Sequence, residues 1–108
     1  MLNPDKIIVL AGRAGADWAD KEAAASILEE VKSTLLSSLA VAHIAAGDAI
    51  GTAEHKAKAD QKYRSHIESM VEARKMANRA RVRWINAQMY VELKRTMEAS
   101  RRAEMKML

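Results

Sequence analysis

The sequence predicts an all-α protein: a long antiparallel helical hairpin or coiled coil, preceded by a short N-terminal helix or arm. Three observations carry that expectation. The apolar set is Ala, Leu, Val, Ile and Met with no Phe, and Ala and Met favour helices. Hydrophobic residues make up 49% and charged residues 30% of the chain, which suits a folded protein rather than a disordered one. From Ala53 to Leu108 there is neither Gly nor Pro over 56 residues, a run of roughly 80 Å if wholly helical at about 1.5 Å per residue. With 108 residues, one domain (1–108) is expected.

Residues 1–16 form the expected arm. Asn3 can cap, Pro4 suits the first helical position and Gly12 can end a turn. A strand through "IIVL" is the alternative, with no second strand to pair with it. "GRAG", Gly12 to Gly15, reads as a break. Asp17 then reads as an N-cap, with Asp20 three residues on near the positive helix end.

The first long helix is expected over 17–46, with Gly47 as its stop. Ala24, Leu28, Val31, Leu35 and Ala42 make a stripe of 3–4 spacing, widened by Ile27, Leu36 and Leu39. Glu22, Glu29, Glu30, Ser33 and Ser37 fall mostly away from it. "GDAIGT", Gly47 to Thr52, is the second break, where Thr52 can cap the second long helix over 53–106.

That second helix can be laid out at about 100° per residue from Arg74. Ala73, Ala77, Ala80, Trp84, Ala87 and Val91 fall on one stripe, joined by His66 and edged by Met70. A second stripe holds Ile67, Val71, Val82, Ile85 and Met89. Two stripes imply two packing partners, the first helix and a second subunit. Val71, Val82, Ile85 and Met89 are therefore the candidate oligomer interface. The alternative is one wide face with arginines snorkelling at its edge. A single hairpin of this size buries a thin core, which makes self-association a natural remedy. The last stretch, Glu92 to Leu108, loses apolar density, so fraying or ordering on a partner is expected there.

Charge is unevenly placed. Residues 1–52 hold four Lys/Arg against seven acids, and residues 53–108 hold fourteen against seven. The stretch "RKMANRARVRW", Arg74 to Trp84, has five basic residues, and no acid occurs from Ala73 to Val91. Lys75, Arg79 and Arg83 stand at i, i+4, i+8, with cations about 6 Å apart along the axis, close to the repeat of a nucleic-acid backbone. Arg74, Arg81, Gln88, Arg95 and Arg102 form a heptad-spaced row between the apolar stripes. Lys75, Arg79, Arg83, Arg74, Arg81 and Tyr90 are thus the candidate nucleic-acid-binding residues, Tyr90 as the better-placed aromatic for stacking on a base. Trp84 reads as core. The competing readings of the basic line are contact with an acidic protein and plain solvation.

Catalytic residues are not expected. His43, His55 and His66 lack a metal-pair spacing, no Ser stands in a nucleophile-elbow pattern, and "AGRAGAD" lacks the Gly-Lys-Ser/Thr of a phosphate loop. The acids mostly sit among Lys and Arg, which favours ion pairing over acid–base work. With no Cys there is no disulfide framework and no thiolate metal site. No cofactor and no metal are expected. The apolar run Ile7 to Ala11 is too short for a signal or a span, and few bulky anchors suit a membrane surface. The expectation is a non-membrane, cytoplasmic protein.

The stretch "YRSHIESMVEARKMANRARVRWINAQMYVELKRTMEASRRAEMKML", Tyr63 to Leu108, resembles the small basic helical proteins encoded beside recombination genes in tailed phages, including UvsY-like recombination mediators. The likeness lies in a Tyr-led long helix, an Arg-rich middle and the ending "KRTMEASRRAEMK". The resemblance implies a homo-oligomer, ring-like or of another form, that binds single-stranded DNA and assists a recombinase or annealing protein. The alternative is a helical interaction module, an inhibitor or adaptor that uses the same surface on a host or phage protein. A structural coiled-coil assembly piece is the third reading.

Overall fold

The computed structural model describes residues 3–107; Met1, Leu2 and Leu108, at the ends of the expected arm and tail, lie outside the described residues. Three helices follow one another, α1 over Pro4–Ala45, α2 over Ile50–Ala59 and α3 over Gln61–Met107. The fold is all-α, and α1 and α3 pair antiparallel as a long hairpin. The residues fall into two compact units, Met1–Asp20 with Asn78–Leu108, and Lys21–Ala77.

Local chemistry fixes the helix ends. At the start, the Lys6 amide donates to Asn3 Oδ1 at 2.9 Å, so Asn3 caps α1 with Pro4 as its first residue. At the far end Gly47 adopts a φ of 106°, a conformation that suits Gly and strains other residues. The Asp48 amide donates to the His43 carbonyl at 3.1 Å and the Gly47 amide to the Ile44 carbonyl at 3.0 Å, the paired bonds of a Schellman stop. Asp48 then takes Lys56 Nζ on both carboxylate oxygens at 2.9 Å, which ties the turn to α2.

Three boundaries differ from the sequence reading. The expected break at Gly12–Gly15 is absent, and α1 runs through both glycines as one helix of 42 residues. Gly15 has a packing reason to be there: a Cβ at this position would stand 3.0 Å from Trp84 Cδ1 and Nε1. Asp17 is therefore mid-helix rather than an N-cap. Thr52 sits inside α2, whose N-cap is Ala49 with no side-chain bond. The expected unbroken helix over 53–106 is interrupted at Asp60, which has an extended ψ of 137°. Asp60 Oδ1 accepts from the Lys62 amide at 2.8 Å, and its carbonyl accepts from Arg64 at 3.1 Å. An Asp side chain can take over backbone donors in this way, so it ends α2 and begins α3 without any Gly or Pro.

In the Lys21–Ala77 unit the core is built of alanines: Ala25 of α1, Ala53 and Ala57 of α2, and Ala77 of α3 are buried. Small side chains let helix backbones approach closely, at the cost of little apolar area per contact. The packing face of α1 is rotated from the expected stripe. Leu28, Leu35, Leu36 and Leu39 are half-buried, while Ala24, Val31 and Ala42 face outward with Ile27. His66 Nε2 donates to the Leu28 carbonyl at 2.7 Å, which places the first part of α3 against α1.

In the other unit, Ile7, Ala80 and Val91 are buried and Trp18 stacks on Trp84, ring centroids 5.0 Å apart at 27°. Trp18 Nε1 is buried and makes no hydrogen bond among the described residues. The α3 stripe Ala73, Ala77, Ala80, Trp84, Ala87 and Val91 is buried or half-buried throughout, as its periodicity predicts. Among the described residues no large side chain is fully buried. Among the described residues no helix is long and apolar enough to cross a membrane.

Candidate nucleic-acid interface

The basic stretch lies on α3, which is helical without interruption from Gln61 to Met107. Its cations divide into those held by acids of α1 and those left over. Arg74 belongs to the first group. Its Nη1 donates to Glu22 Oε2 at 2.6 Å, while Nε and Nη2 donate to the two carboxylate oxygens of Glu29 at 2.8 Å each. This forked pairing matches the planar guanidinium to a carboxylate. The hydrogen bond from Arg74 holds the Glu29 carboxyl below the ordinary glutamate range. Both acids in turn push the Arg74 guanidinium further up. Arg83 is partly committed, with Nη2 3.4 Å from Asp17 Oδ2 and more than half of its side chain in solvent.

Lys75, Arg79 and Arg81 form the second group. All three are exposed and make no ion pair among the described residues. Lys75 and Arg79 stand one helical turn apart on the same flank, and Arg81 lies on the other flank. Tyr90 is exposed near the side of Arg83. Arg95 donates to Glu92 of its own helix at 3.3 Å.

Of the six candidate binding residues, then, Lys75, Arg79, Arg81 and Tyr90 face solvent, Arg83 leans on Asp17, and Arg74 is a bridge to α1. The sequence reading missed the acids that hold Arg74. Glu22 and Glu29 stand seven residues apart, so they share a face, and an Arg in a heptad row on the antiparallel helix is the signal that could have found them. The candidate interface residues Val71, Val82 and Met89 are exposed, and Ile85 is half-buried.

Among the described residues no group of three or more His, Asp or Glu is arranged to hold a metal ion. The arrangement offers electrostatic binding of a polyanion by a helix face. No known protein family, curated protein or solved structure matches the chain.

Proposed function

We propose that this protein is a non-enzymatic, self-associating accessory protein that holds single-stranded nucleic acid by its phosphates along α3. The observation that carries this reading is the pair Lys75 and Arg79: exposed, without ion pairs among the described residues, in a stretch that has no acid from Ala73 to Val91. Elsewhere α1 supplies acids that consume the neighbouring arginines, so the remaining cations are surplus to the fold. Surplus cations at helical-turn spacing suit a phosphate backbone. Single-stranded DNA as the ligand, and a place beside a recombinase or annealing protein in the cytoplasm, follow from the resemblance of Tyr63–Leu108 to phage recombination mediators.

A second reading is favoured by Val82 and Met89, which lie exposed beside the same cations. Apolar residues among unpaired bases also fit an acidic protein surface, the adaptor or inhibitor function. Fluorescence anisotropy of labelled oligonucleotides separates the two. Nucleic-acid binding predicts affinities that are alike for unrelated sequences and fall with salt by a log–log slope of about −0.7 per phosphate contact on a single strand. Binding that is absent at low salt would leave the adaptor as the better reading.

A further inference from the structure

We propose that α1 supplies a second wall to the nucleic-acid site: Lys6, Leu10 and Arg13 stand on the same side of the helix pair as Arg83, Tyr90 and Arg101 of α3, and the trough they line takes an unpaired base with its phosphates. The inference rests on the reading above and deepens it, since it names a strand with unstacked bases as the ligand and adds α1 to the site.

The Asp17–Arg83 ion pair marks this side, inside the unit of Met1–Asp20 and Asn78–Leu108. Offsets of seven and eleven residues return a helix to within about 20° of the same direction. Leu10 and Lys6 stand seven and eleven residues before Asp17, and Tyr90 and Lys94 seven and eleven after Arg83. Because α1 and α3 run antiparallel, both sets move away from the ion pair in one direction, by equal steps of about 1.5 Å per residue. Leu10 is thereby brought level with Tyr90, and Lys6 with Lys94. Arg13 and Arg101 keep to the same side within about 40°. A hollow lined by Ile7 together with Val91 and Lys94 shows the same register near the start of α1.

The trough is basic at its rim. A groove of about 360 Å³ opens along α1, lined by Lys6, Val9, Leu10 and Arg13 with Asn3 and Asp5. Lys6, Arg13 and Arg101 are exposed and make no ion pair among the described residues. Arg83 keeps more than half of its side chain in solvent despite Asp17. The acids lie at the edges. Asp20 stands beyond Asp17, Glu104 beyond Arg101, and Glu98 in the hollow with Ile7 and Val91. Asp5 is turned about 120° from Asp17 around α1.

The middle of the trough is apolar. Tyr90 is 43% and Leu10 45% exposed. Phosphate contacts alone have no use for a ring and a leucine. A duplex keeps its bases inside the stack and presents its backbone, so the ring serves a base that is already unstacked. Every base has a face that stacks on an aromatic side chain, and the cations on either wall then meet the phosphates beside it.

Fluorescence anisotropy with a labelled oligonucleotide, as a single strand and as its duplex, tests both walls on the full chain. Tyr90→Ala should weaken single-strand binding roughly 5- to 150-fold, the range for losing one base–aromatic stack, and leave duplex binding unchanged. Tyr90→Phe keeps the ring and should bind like the wild type. Lys6→Gln combined with Arg13→Gln should reduce the salt slope on the single strand by about 1.4, or about 0.7 for each lost contact. These positions are exposed, so circular dichroism should show wild-type helix content. If Tyr90→Ala weakens single strand and duplex alike, or neither, the base site is wrong. If the Lys6→Gln, Arg13→Gln variant keeps the wild-type slope, α1 is no part of the site, while the α3 cations retain their role. A wild type that binds neither form overturns this inference together with the reading beneath it.

Discussion

Gly12 and Gly15 sit one turn apart in α1, and alanine at each should have opposite effects. In a helix interior Ala is favoured over Gly by about 0.8–1 kcal/mol. At Gly12 a Cβ meets nothing within 4 Å, so Gly12→Ala should realise that gain. In a domain of this size about 1 kcal/mol raises Tm by roughly 4–8 °C. At Gly15 the same Cβ meets Trp84 Cδ1 and Nε1, both at 3.0 Å. Favourable carbon–carbon contact lies at about 3.5–4.0 Å, so the ring must retreat by about half an ångström or more. Trp18, one turn further along α1, stacks on the same ring at 5.0 Å and limits how far it can shift. Overpacking of this kind costs about 1–3 kcal/mol, which cancels or exceeds the propensity gain. Thermal melts by circular dichroism, with tryptophan fluorescence as a second signal, should therefore rank Gly12→Ala above the wild type and Gly15→Ala at or below it. If Gly15→Ala stabilises as much as Gly12→Ala, the close approach of Trp84 is wrong. If Gly12→Ala destabilises, α1 is not continuous through this stretch.

Other consequences follow from the ion pairs and caps. Because pairing to Arg74 holds the Glu29 pKa down in the folded state, its stabilising contribution is fully present above the ordinary glutamate value, about 4.3, and is lost as pH falls through the depressed one. Melting temperature should thus drop more steeply on acidification for the wild type than for Glu29→Gln, and equal slopes would argue against the bridge. Asp60→Ala removes the cap of α3 and should cost about 1 kcal/mol in a urea titration, while Asp60→Asn should retain most of it. Arg74→Gln should lower stability and leave any salt dependence of nucleic-acid binding unchanged, since Arg74 is already held by Glu22 and Glu29.

The helical class and the hairpin turn were legible because Gly47 and the apolar spacing act locally. The α3 stripe from Ala73 to Val91 could be read for the same reason: its period sets which face packs. Gly12 and Gly15 misled because glycine permits a turn without requiring one, and the tertiary contact with Trp84 explains Gly15 better than any local rule. Asp60 misled in the opposite direction, since a capping side chain interrupts a helix that has no Gly or Pro. The candidate site was legible as a charge pattern only. Which arginines are spent depends on Asp17, Glu22 and Glu29, some 45 to 66 residues away in sequence, and pairings at that range follow from the register of α1 on α3.

If the unpaired cations of α3 bind phosphate, removing two of them must weaken binding in a way that salt reveals. Anisotropy of a labelled single-stranded oligonucleotide, titrated across a range of salt, is measured for the wild type and for the double variant Lys75→Gln, Arg79→Gln. Glutamine is nearly as good a helix former, so the fold should hold. The double variant should bind unrelated sequences more weakly alike, with the salt slope reduced by about 1.4, or about 0.7 for each lost contact. Unchanged affinity and slope in the double variant would contradict it.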